Sequence, residues 1–254
     1  MTPHGLDRFR AHFRSYVDAY ILIGGTACAV QFEQIGASFR STRDFDVLVL
    51  ADGRHRAFLQ AMSSFIVSGG YHRHIDARGR HRCFRFMGPH DETWPGKIEI
   101  CARQGMTDDD ARSYFPLARP ADGADLISLS AILFDDTYVD WLAGGAEILA
   151  DVRVARMEYL LPLKALAWKN LTVAKARGEA VDGDDIRKHK LDCFRLINRI
   201  PPAQRIMLPA PIAADVAMFI LAMEAEQPGL PADLPGKPLT FLNAMRNVYA
   251  LPRP

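Results

Sequence analysis

Two aspartates and a pair of glycines are the residues of this chain whose types and spacing could do chemistry. Asp44 and Asp46 head the apolar run DFDVLVL, and Gly24-Gly25-Thr26 follows the apolar YILI at Tyr20 to Ile23. Two positions apart on a strand, both aspartates leave the same face, roughly 7 Å from one another along the chain. Carboxylates so spaced, beside a phosphate, can hold divalent ions between protein and triphosphate. A strand running into paired glycines at a helix start offers backbone N–H groups and the positive end of a helix dipole, with no Cβ in the way of a phosphate. That equipment suits nucleotidyl or phosphoryl transfer.

The elements that must position these groups follow from periodicity. A helix is expected over Leu6 to Asp18, with Leu6, Phe9, Phe13, Tyr16 and Val17 on one face. A strand at Tyr20 to Ile23, a helix through about Ile35, a loop and a strand opening at Asp44 come next. Arg54 to Val67 reads as an amphipathic helix stopped by Ser68-Gly69-Gly70. Tyr71 to Phe86, YHRHIDARGRHRCFRF, reads as a hairpin turning near Ala77 to Gly79 and rich in arginine and histidine. It is either a phosphate- or RNA-binding ribbon or a charged edge that discourages edge-to-edge pairing. The spacing of His72, His74, His81 and Cys83 matches no zinc site. Lys97 to Cys101 is another strand, placing Glu99 opposite Ile98 and Ile100.

Residues 104–125 are rich in Asp, Gly, Pro and Arg and read as the connection out of a first domain, with the acidic run Asp108 to Asp110 a helix turn or a solvated loop. Leu126 to Phe134 is an apolar element too short to assign. Met157 to Lys175 forms a helix whose stripe is Leu163, Leu166, Ala167, Asn170, Leu171 and Ala174, with the regular helix starting at Pro162. A further helix over Asp185 to Arg199 follows Asp182-Gly183-Asp184, either Asp184 or Asp185 being its cap. Helices at Ala213 to Glu224 and Thr240 to Tyr249 complete the chain.

Gly24-Gly25-Thr26, followed by Arg40-x-Thr42-x-Asp44-Phe45-Asp46 at the head of an apolar strand, resembles the nucleotidyltransferase superfamily of the DNA polymerase β-like fold. The layout, with a full helix and loop between glycines and aspartates, is similar to the AbiEii/AbiGii toxin family. Leu161-Pro162-Leu163-Lys164-Ala165 and Asp185-Ile186-x-Lys188-His189-Lys190-x-Asp192 look like that family's later segments. The resemblance implies that Asp44 and Asp46, with Glu99 as a third carboxylate, ligate Mg²⁺ or Mn²⁺; the alternative for Glu99 is an exposed edge-strand residue, and Asp76 is a weaker competitor for its role. It implies that Gly24, Gly25 and Thr26 cradle an NTP by N–H groups and a hydroxyl, aided by Arg40, Thr42 and Arg43. Lys164 would contact the phosphates and Asp185 would orient it or the reacting groups. The acceptor would be a tRNA 3′ end or a protein, and a cognate antitoxin would be the partner.

The expected fold class is α/β (α+β): a nucleotidyltransferase-like mixed sheet with flanking helices over residues 1–125, then a mainly helical domain over residues 126–254 completing the cleft. The chain of 254 residues is long enough for that, and 49% hydrophobic with 24% charged residues excludes a disordered or coiled-coil protein. A net charge of +1 predicts no partner, so any electrostatic argument is local. The four cysteines form no C-x-x-C pair, which suits reduced thiols. With no signal-peptide core and no membrane-length apolar run, a cytoplasmic location and no membrane partner are expected.

Overall fold

The computed structural model describes residues 3–50, 55–75, 81–103 and 133–252. The expectations for Arg54, Asp76, the turn at Ala77 to Gly79, the acidic run Asp108 to Asp110 and Leu126 to 132 lie outside the described residues. So do the side chains of His74, His81 and Cys83. The chain divides into two compact units, Met1–Ala155 and Arg156–Pro254.

The first unit is a mixed α/β structure, as expected. Helix α1 (Leu6–Phe13) gives way to a 3-10 turn at Arg14–Tyr16. Strand β1 (Tyr20–Ile23) runs directly into α2 (Gly24–Gln34), and β2 (Asp44–Val49) returns antiparallel to β1. Then come α3 (His55–Ser68), the hairpin of β3 (His72–Ile75) and β4 (His81–Met87), and β5 (Lys97–Arg103). Strand β6 (Leu133–Phe134) pairs with the end of β5, and α4 (Asp136–Gly144) leads to β7 (Ala146–Leu149) and β8 (Val152–Ala155). The sheet order is β3-β4-β5-β2-β1-β8-β7, with β2–β5 and β1–β8 parallel.

Alternation along β2 divides its side chains between two faces. Phe45, Val47 and Val49 are buried, and Phe45 packs against Phe9 of α1 with ring centroids 5.2 Å apart. Phe13, Tyr20, Phe58 and Phe65 extend this aromatic core under α1 and α3. Asp44 and Asp46 therefore leave by the other face. A one-residue slip would drive both carboxylates into the aromatic cluster, so the core fixes the register.

The unit boundary corrects the expected division at residue 125. Strand β8 pairs in parallel with β1 through Leu22 and Val154, and β7 joins β8, so α4, β7 and β8 belong to the sheet-bearing unit.

The second unit is helical: α5 (Met157–Ala176), α6 (Gly183–Ile197), α7 (Ala210–Glu226) and α8 (Pro238–Val248). Trp168, Phe194, Phe219 and Phe241 pack edge-on or tilted at its centre. Helix α5 begins at Met157, ahead of Pro162, where the sequence predicted its regular part to start. A proline inside a helix removes the N–H that would bond the carbonyl four residues back, here that of Glu158. The Tyr249 hydroxyl donates to that carbonyl instead, at 2.8 Å. The buried stripe of α5 is also displaced from the expected one. It runs through Leu160, Leu161, Leu163, Lys164, Ala165 and Trp168, so Leu163 is buried as expected while Asn170 is exposed.

Candidate functional site

The β1–α2 turn and the head of β2 form one assembly. Gly24 has φ +68°, which favours glycine, and a Cβ there would stand 1.8 Å from Asp46 Oδ2. A Cβ on Gly25 would stand 2.7 Å from Thr42 Oγ1 and 3.6 Å from an Arg40 guanidinium nitrogen. The glycines are thus needed for a reason the sequence did not supply. The space freed by their missing side chains is filled by Asp46 and Thr42, not left open for a phosphate. Arg40 lies over the turn. Thr26 is fully buried and its hydroxyl donates to the Asp44 carbonyl at 2.6 Å, which pins the first turn of α2 to β2. With its proton so committed, that hydroxyl is not a donor for phosphate, and the expected cradle reduces to backbone N–H groups and the helix dipole. Arg43 points outward to Glu92 at 3.6 Å, both side chains exposed, and its carbonyl accepts from Gly96 N–H.

Glu99 is brought to the aspartates by register. In the parallel β2–β5 pair Asp44 lies opposite Lys97 and Asp46 opposite Glu99, so the three expected carboxylates share a face. Two cations share it with them. Lys97 Nζ lies 3.0 Å from Asp44 Oδ2 and 2.7 Å from Glu99 Oε2. Arg85, opposite Glu99 on β4, donates from Nε to Glu99 Oε1 at 2.5 Å. The arginine-rich hairpin thus sends one guanidinium to the carboxylate face. Period-2 alternation places Lys97 with Glu99, but nothing in the sequence announces the register that brings Arg85 across.

Electrostatics bind this group tightly. Burial pushes the Lys97 pKa down, but the charges of Glu99, Asp46 and Asp44 more than offset it and hold the ammonium well above its ordinary range. Burial pushes Glu99 up, but Lys97 and Arg85 reverse this and leave it below the usual carboxylate value. Burial, then Asp46 and Glu99, raise the Cys101 thiol on the same face.

Asp44 and Asp46 fit a divalent ion of the kind that takes one or two carboxylates and completes its shell with substrate phosphates and water. Glu99 does not fit as a third ligand, because two cations already hold its oxygens and its side chain is only 12% exposed. Among the described residues, no three His, Cys, Asp or Glu side chains converge to hold a metal ion.

In the second unit, Lys164 is buried, and its ammonium lies 3.1 Å from the equally buried Asp192. Asp192 also lies 3.5 Å from Arg195. Asp185 accepts from Lys188 at 2.6 Å at the start of α6. Asp192, which the sequence motif includes without a role, is thus an acid held against Lys164. Its signal was legible, since Lys164 falls on the apolar spacing Leu160, Leu161, Ala165, Trp168 and must carry a buried counter-charge. The helix cap is neither Asp184 nor Asp185. Asp182 holds that position and accepts from Asp184 N–H at 2.9 Å.

Cys28, Cys101 and Cys193 are buried and form no disulfide among the described residues. Among the described residues, no helix is long and apolar enough to cross a membrane.

No family model matches the chain, and no curated protein matches it in sequence. Among solved structures, an antigenic nucleotidyltransferase-like protein from Paracoccidioides brasiliensis is similar at 14% identity and a TM-score of 0.42, over 95% of each chain. A likeness that loose carries no argument about the residues above.

Proposed function

We propose that this chain is a nucleotidyltransferase that moves a nucleoside monophosphate from an NTP to an acceptor hydroxyl. The observation that carries the reading is the seating of Asp46 on Gly24, which sets one of the two β2 carboxylates beside the backbone N–H groups at the α2 N-terminus. A triphosphate lying on the α2 N-terminus would meet the helix dipole, the Arg40 guanidinium and the Lys97 ammonium. Mg²⁺ or Mn²⁺, shared by Asp44, Asp46 and the phosphates, would supply charge neutralisation when bound. The acceptor oxygen forms a bond to the α-phosphorus as the bond to the bridging oxygen breaks, and pyrophosphate leaves. Glu99, held ionised by two cations, is a poor acceptor for the hydroxyl proton, so that role falls to the β2 aspartates. The resemblance to AbiEii/AbiGii toxins extends the reading to a tRNA 3′ end or a protein as acceptor, a cytoplasmic site of action and a cognate antitoxin.

The test is pyrophosphate release and transfer of α-label with each NTP and Mg²⁺, in the presence of cellular RNA and protein. Asp46→Asn should keep the fold and lose transfer. Full activity in that variant, or transfer of γ-label instead, overturns the assignment. The engagement of Glu99 by Lys97 and Arg85 favours a second reading, a nucleotide- or RNA-binding module without turnover. It predicts a nucleotide-induced rise in melting temperature with no pyrophosphate released.

A further inference from the structure

Lys97 is a cation built into the position where a metal ion would be expected. Its ammonium touches Asp44 and Glu99, is drawn upward in pKa by Asp46 as well, and sits on the parallel strand next to the aspartates. Glu99, fixed from its other oxygen by Arg85, acts as the anchor for that ammonium. Asp44 and Glu99 thereby hold a cation before any metal ion arrives. Asp44 is the partner most able to exchange, since its side chain is 43% exposed against 12% for Glu99.

We propose that Lys97 is the resident counter-ion of the Asp44–Asp46 pair, a positioning residue that keeps divalent metal out until a nucleotide brings phosphate oxygens for the ammonium to join. Resting on the nucleotide reading above, this makes metal and nucleotide bind together and makes Glu99 a tether for Lys97 instead of a metal ligand. A unit positive charge 3.0 Å from Asp44 Oδ2 competes directly with an incoming cation for the same oxygen. Nucleotide phosphates offer that charge an alternative site, and the flexible four-carbon stem of lysine allows the exchange.

The experiment is Mn²⁺ titration of the full chain, followed by electron paramagnetic resonance, with and without a non-hydrolysable NTP. The wild type alone should bind Mn²⁺ weakly. Lys97→Met should bind it about tenfold or more tightly without nucleotide, since a repulsive charge within contact distance is gone, while Lys97→Arg should behave as the wild type. Nucleotide should tighten Mn²⁺ binding more in the wild type than in Lys97→Met. Unchanged Mn²⁺ affinity in a folded Lys97→Met protein overturns the proposal. If that variant does not fold, Lys97→Gln, which keeps an N–H donor without the charge, is read against the same criterion. If nucleotide affects neither melting temperature nor Mn²⁺ binding in the wild type, the nucleotide reading fails. The nucleotide-free comparison still decides whether Lys97 guards the aspartates.

Discussion

The carboxylate of Asp46 occupies the space that a side chain on Gly24 would need, with Oδ2 1.8 Å from where its Cβ would stand. The turn and the acid are therefore one device, in which the glycine leaves the room that the Asp46 side chain fills. Gly24→Ala meets both the positive φ and this overlap, and should cost about 1–3 kcal/mol of stability. Asp46 has to rotate away to admit the methyl group. Thermal melts should show the loss, and the nucleotide- and Mg²⁺-dependent rise in melting temperature should vanish with it.

Acid and alkali should act on the carboxylate face in opposite senses. The folded pKa of Glu99 is depressed, so its contribution is complete above the ordinary 4.5 and is lost as pH falls through the folded value. Lys97 is raised, so its contribution is complete below the ordinary 10.5 and is lost as pH rises through the folded value. Glu99→Gln should flatten the acid limb of a stability–pH profile measured by urea midpoints. Lys97→Met should flatten the alkaline limb.

Breaking the buried pair in the second unit should be expensive. Lys164→Met leaves the Asp192 carboxylate buried, with Arg195 still 3.5 Å away. The expected loss is about 3–5 kcal/mol, at the lower end because of Arg195. Lys164→Met combined with Asp192→Leu should be less destabilised than the single change. Denaturant titration of the wild type, both single variants (Lys164→Met and Asp192→Leu) and the double variant would show strict additivity if the pair were not coupled.

Tyr249→Phe deletes the donor to the Glu158 carbonyl at the Pro162 interruption of α5. The partly buried carbonyl is then left without that bond, which should cost about 1 kcal/mol. Hydrogen exchange should report faster opening in the first turns of α5, and an unchanged profile would count against this bond.

Local pattern carried the reading wherever neighbours in sequence are neighbours in space. β1, α2 and the head of β2 stand where the strand–Gly-Gly–helix and Asp-x-Asp patterns put them. What alternation cannot supply is which strands lie side by side. Arg85 reaches Glu99, and β7 and β8 join β1, through pairings between distant segments that no local period encodes. The function of the glycines was hidden for the same reason, since their crowding comes from Asp46 and Thr42. Lys164 is different. Its place beside apolar residues is visible in the sequence, but the buried acid that meets it lies on a different helix, which no local spacing encodes.

The bond from Tyr249 to Glu158 joins residues near opposite ends of the helical unit. During synthesis, the first turns of α5 emerge well before the hydroxyl that completes their hydrogen bonding. That unit should therefore remain loosely formed on the ribosome, a protease-sensitive intermediate that tightens once residue 249 clears the exit tunnel.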